Sequence, residues 1–154
     1  MTLSHTPGAI KRLRRTPWRF QHTFVTPLQN LQAFVATILS ANEAVKSATL
    51  TIEQYVFEPK NLIALLGKYS LPPECGQEWI VTASRQTEVA ELLAAVLGDW
   101  MDFWFIPTPK PFVIYADHDE YATFFANTKS NLNQVVQALS GANFQSVSNY
   151  ERRF

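Results

Sequence analysis

The stretch Trp100–Ile106 reads Trp-Met-Asp-Phe-Trp-Phe-Ile, and it constrains the fold more than any other segment. In extended form it sends Met101, Phe103 and Phe105 to one side and Trp100, Trp104 and Ile106 to the other, with Asp102 as its one charge. A strand that is apolar on both faces must be covered on both faces, which puts it in the middle of a sheet. A second β-rich run, Phe112–Ala116, follows across Pro107-Thr108-Pro109-Lys110-Pro111. Two such runs around a short, proline-stiffened connection predict a hairpin.

The neighbouring segments alternate in period. Thr26-Pro27-Leu28-Gln29 reads as a capping box, opening a helix whose Leu28, Leu31, Phe34, Val35, Ile38 and Leu39 share one face. Ala48–Glu58, rich in Thr, Ile, Tyr, Val and Phe, predicts a strand. Pro59 opens a shorter helix, which Leu71-Pro72-Pro73 ends. Glu78–Ala83 reads as a buried strand. Ser84 is set to cap a helix carrying Val89, Leu92, Leu93, Val96 and Leu97, with Gly98 at its stop. After Asp117 the apolar positions Tyr121, Phe124, Phe125, Leu132, Val135, Val136 and Leu139 fit helical spacing. Cap-type residues between Asn127 and Asn131 divide that stretch into two helices. Phe144–Val147 reads as a short edge strand.

This order predicts a single α/β (α+β) domain: a mixed β-sheet of about four strands with a central hairpin, packed by four to five helices. A length of 154 residues suits one domain, and 47% hydrophobic with 13% aromatic residues excludes general disorder. One cysteine excludes a disulfide framework or a Cys-rich zinc site. No stretch has the roughly 20 apolar residues of a membrane-spanning helix, and the N-terminus lacks the apolar core of a secretory signal. The cytoplasm is the expected location.

Charge divides the chain unevenly. Residues 1–19 hold five basic residues and no acid, for +5, whereas residues 20–150 hold six basic and twelve acidic residues, for −6. Residues 1–19 therefore read as a basic N-terminal arm, with Lys11, Arg12, Arg14 and Arg15 at its centre, and residues 20–154 as the domain. An acidic body repels phosphate backbones and attracts basic proteins. The arm, with Trp18 and Phe20 for stacking, offers nucleic acid only a weak, salt-sensitive contact. Its Thr/Ser- and Arg-rich composition also resembles a transit peptide, although Pro17 interrupts its thin apolar stripe.

The motif inventory excludes several chemistries. All five glycines stand apart from one another, so no dinucleotide or P-loop phosphate cradle can be drawn, and G-x-S-x-G and H-E-x-x-H are missing. No cofactor is called for. Cys75 has no histidine near it in sequence to activate it.

The one dense polar run is Asp117-His118-Asp119-Glu120, at the end of the second hairpin strand. Three readings apply to it. Asp119 serves as N-cap of the next helix, with Glu120 in its first turn. Alternatively, Asp117, Asp119, Glu120 and Tyr121 form a contact site, with acids steering a basic partner and an aromatic supplying affinity. Or His118 works with these carboxylates in acid–base or metal-assisted hydrolysis, which requires a concave pocket reaching a partly buried His118 and a further carboxylate such as Asp99 or Asp102. The aromatic group around Trp104 and Phe112 reads as core first and as a ligand pocket second.

The leading expectation is a small, non-enzymatic, acidic protein-binding domain that sequesters a basic partner, like an immunity protein or antitoxin. A small hydrolase or metal-dependent enzyme centred on the acidic run is the alternative. An accessory subunit docking RNA or a larger complex through the arm comes third. Nothing in the sequence specifies an oligomeric interface.

Overall fold

A computed structural model describes residues 1–154. The elements in chain order are β1 (Thr2–His5), α1 (Ala9–Arg14), β2 (Phe20–Val25), a 3-10 turn (Leu28–Asn30), α2 (Leu31–Ser40), β3 (Ser47–Tyr55), α3 (Lys60–Lys68), β4 (Trp79–Ala83), α4 (Gln86–Gly98), β5 (Met101–Thr108), β6 (Val113–Ala116), β7 (Tyr121–Ala126), α5 (Lys129–Gly141) and β8 (Ser146–Val147). The eight strands form one sheet in the order β1-β4-β3-β5-β6-β7-β2-β8, antiparallel throughout. The expected mixed sheet of about four strands is thus corrected to eight antiparallel strands. The expected hairpin of β5 and β6 forms, and β5 lies inside the sheet between β3 and β6. No helix is long and apolar enough to cross a membrane.

The largest misreading concerns β7. Tyr121, Phe124 and Phe125 fit helical spacing, yet the segment is a strand in which Ala122, Phe124 and Ala126 point to one face and Thr123 and Phe125 to the other. All five are buried, so the polar alternation that marks a half-exposed strand is absent. Only α5 remains of the two expected helices, capped by Thr128 Oγ1, which accepts from the Asn131 N–H. Asp119 consequently caps no helix and sits in the β6–β7 turn. Thr26 caps none either: its hydroxyl is buried without a partner, and α2 begins after the 3-10 turn. At α4 the cap runs in reverse, since Glu88 reaches back to accept the Ser84 N–H.

Residues 1–19, read as an arm, contain β1 and α1, and β1 extends the sheet by pairing with β4. Helices α2 to α5 cover one sheet face, burying Leu50, Ile52, Phe103, Phe105, Ile114 and Phe124 in an apolar core. The other face carries the cross-strand row Thr51, Trp104, Tyr115, Thr123 and Thr23. It is covered by Leu13 of α1, Trp18 and the C-terminal residues, where Phe154 lies 4.9 Å from the Trp104 ring centroid.

Candidate functional site

At one end of the sheet, the start of β5, the β6–β7 turn and the loop after β3 come together, with the end of α4 and the start of α3 beside them. The ladder breaks register between Ile52 and Gln54, and this bulge brings both Glu53 and Gln54 to the face of Trp104. Glu53 accepts from Trp104 Nε1 at 3.1 Å and from Arg14 of α1. Gln54 donates to Asp102 Oδ2 at 2.8 Å. The buried Asp102 carboxylate also accepts the His118 backbone N–H and lies 2.8 Å from His118 Nδ1.

That contact fixes the imidazole. With Asp102 accepting from Nδ1–H, Nε2 is left to face outward, 3.9 Å from Asp119 Oδ1. The hydrogen bond to Asp102 raises the His118 pKa above its usual value, against a smaller opposing effect of burial. The His118 side chain is 35% exposed. It borders a groove of about 650 Å³ lined also by Phe57, Glu58, Lys60, Asn61 and Trp100.

Asp99 forms the floor of the groove by joining two helix ends. It ends α4 and is buried, and its carboxylate accepts from the Asn61 N–H, Asn61 Nδ2 and the Leu62 N–H, so it caps α3 across the fold. Trp100 follows at φ 55°, a left-handed conformation normally left to glycine or asparagine after a helix. Its indole lines the groove and belongs to neither apolar cluster of the fold.

The acidic run is separated by the turn it makes. Asp117 points inward: its side chain is 8% exposed, pairs with Arg152, and accepts from the Asp119 and Tyr121 N–H groups. Asp119 and Glu120 are exposed, and Glu120 holds φ 68° at the tip of the turn. Tyr121 packs edge-on against Tyr150, 5.1 Å between ring centroids. Of the basic residues, Arg14 is committed to Glu53, while Lys11, Arg12 and Arg15 are exposed on or just after α1. No group of three or more His, Cys, Asp or Glu side chains is arranged to hold a metal ion.

The expected strand Ala48–Glu58 ends at Tyr55, and residues 56–58 form a loop instead. Tyr55, Val56 and Phe57 are 46%, 55% and 61% exposed. Phe57 and Glu58 form a ridge between the His118 groove and a second groove of about 600 Å³ that reaches Glu74, Cys75 and Trp79. The one available signal was Glu58-Pro59, since a proline restricts the residue before it and ends a ladder. Burial raises the Cys75 thiol pKa, the reverse of an activated nucleophile. Compared with known proteins, the chain matches no family model, no curated protein and no solved structure.

Proposed function

We propose that this chain is a non-enzymatic binding domain that sequesters a basic protein partner, in the manner of an immunity protein or antitoxin, at the end of the sheet where Tyr55 leads into the loop of Val56 and Phe57. The observation that carries this reading is the loop itself. Tyr55, Val56 and Phe57 are three consecutive exposed side chains along one groove, and Phe57 also borders the other, whereas Phe20 and Leu28 are exposed singly. The exposed acids Glu58 and Glu74 line these grooves, Asp119 lies beside His118 at the edge of one, and Glu120 follows Asp119 in the β6–β7 turn, with Lys60 as the nearby cation. Acids of this kind steer a basic partner, and the apolar loop supplies contact area. Asp117 contributes by holding the turn that presents Asp119 and Glu120, with Tyr121 at its base. The pair would act in the cytoplasm, where Cys75 stays a free thiol.

The test is capture from a lysate of the native host, using the full chain at low and moderate salt beside a Val56→Asp/Phe57→Asp variant. Wild type should hold one stoichiometric basic protein that salt releases. The variant should lose it while keeping its melting temperature. Replacing Asp119 and Glu120 with Asn and Gln should slow association and flatten its salt dependence. Wild type eluting alone, or a variant that still captures the partner, rejects the reading.

A second reading rests on the Asp102–His118 pair, because a carboxylate-oriented imidazole facing a groove is suited to proton transfer. No hydroxyl or thiol lines that groove, so the attacking group would be water. Turnover of p-nitrophenyl esters or phosphates that disappears in His118→Gln would favour this reading over the first.

A further inference from the structure

Phe57 and Trp100 are large aromatic side chains that the packing of the fold does not explain. The other three tryptophans are all engaged: Trp104 is fully buried, Trp79 packs on the main core, and Trp18 packs on the smaller cluster. Trp100 is held in a backbone conformation that costs energy for any residue with a Cβ, and no apolar core repays it. Its indole and the Phe57 ring line the same groove.

The charges of that groove select the ligand. Glu58 and Asp99 line it, Asp119 lies beside His118 at its edge, and the Asp102 carboxylate stands behind His118. Lys60 is the opposing cation, joined by His118 when that ring is protonated. Carboxylates thus outnumber cations around two aromatic rings, a combination that favours a planar cation over an anion or a neutral group. A guanidinium can lie over an indole face while donating hydrogen bonds to a carboxylate at its edge.

We infer that the groove between Phe57 and Trp100 is a receptor for an arginine side chain, with Trp100 as its platform and Glu58 as its charge partner. This deepens the reading of a basic protein partner and rests on it for the source of the arginine; the chemistry of the groove stands apart from that source. Lys60 opposes the ligand and weakens the site.

The experiment titrates the full chain with N-acetyl-arginine methylamide, and separately with the uncharged citrulline analogue, following indole N–H resonances by NMR. The Trp100 resonance is assigned by its loss in Trp100→Phe. Arginine should shift the Trp100 indole and the neighbouring Gly98 and Asn61 amides, and citrulline should leave them in place. Glu58→Gln should weaken arginine binding about threefold or more, and Lys60→Gln should strengthen it. Trp100→Gly should abolish the shifts of Gly98 and Asn61 while the melting temperature stays level or rises, since glycine accepts φ 55° freely.

Equal shifts with both probes, or none with arginine, overturn the inference. So does a steep loss of stability in Trp100→Gly, which would make the indole a packing group. An arginine response in a chain that captures no basic protein keeps the receptor and removes the partner. Capture of a basic protein with unchanged affinity by Trp100→Gly keeps the partner and removes the receptor.

Discussion

The two faces of the sheet are closed by different means, and β5 takes part in both. Toward the helices it sends Phe103 and Phe105, which meet α2 to α5 in a layer built from apolar side chains. Toward the other face it sends Asp102 and Trp104, where the cover is one short helix, Trp18 and the last residues of the chain. Such short segments bring too little apolar area to hold themselves down. They are fastened by charge: Arg14 to Glu53, and Arg152 to Asp117, Thr123 and the ring of Tyr115, 4.6 Å away. Gln21 holds the Arg152 backbone at both its N–H and C=O. The helical layer therefore meets the sheet through apolar side chains, its buried carboxylates Glu88 and Asp99 serving helix ends, whereas the face closed by short segments fixes its charges between cover and sheet. The groove at the sheet end lies where the two meet, taking His118 from the charged face and Lys60, Asn61 and Asp99 from the helix ends.

The sharpest way to break this comparison is to truncate each face in turn and measure how salt alters the loss. Phe124→Ala, on the helical side, removes a fully buried ring and should cost about 3–5 kcal/mol in urea unfolding. That loss should be the same at low and high salt, because no charge is involved. On the other face, Arg152→Met keeps much of the stem over Tyr115 and leaves the mostly buried Asp117 carboxylate unpaired, at about 2 kcal/mol. Asp117→Asn added to it should recover part of the loss, since no orphan charge then remains. A double variant no more stable than Arg152→Met would show that shape, rather than charge, closes this face.

The same contrast governs what the sequence could disclose. Trp100–Ile106 was legible as an inner strand because apolar residues on both its sides admit no exposed position. β7 has equally buried sides, but its Tyr121, Phe124 and Phe125 also satisfy helical spacing, and only pairing with β2 and β6 decides between the two. β1 is four residues, mostly exposed, and exists through its ladder with β4, some 75 positions away along the chain. That long-range pairing is invisible to any local pattern.

The candidate site was legible in part. His118 and a carboxylate at Asp99 or Asp102 were foreseeable from their types, and Asp102 lies sixteen residues from His118 across a hairpin that was itself readable. Trp100 looked like the first residue of a strand. Its left-handed turn follows from Asp99 being drawn away to cap α3, a tertiary contact. Val56 and Phe57 looked like a continuation of the strand that ends at Tyr55, because exposed and buried apolar residues carry the same letters.

The smallest expected effect lies where the charged face opens into the groove. His118→Asn keeps a neutral donor for Asp102 and removes only the titration. The hydrogen bond to Asp102 raises the His118 pKa in the fold, so protonation stabilises the native chain. That contribution is complete below the unfolded value near 6.5 and is lost as pH rises through the higher folded value. Wild type should therefore exceed the variant at pH 5.5 and match it at pH 9. Because the imidazole is 35% exposed and screened by water, the gap should stay below about 1 kcal/mol. Urea unfolding of both chains across that range reads it directly. A gap as large as that of Arg152→Met would mean that His118 helps to clamp this face, while a gap that grows toward alkaline pH would mean that Asp102 holds the neutral ring.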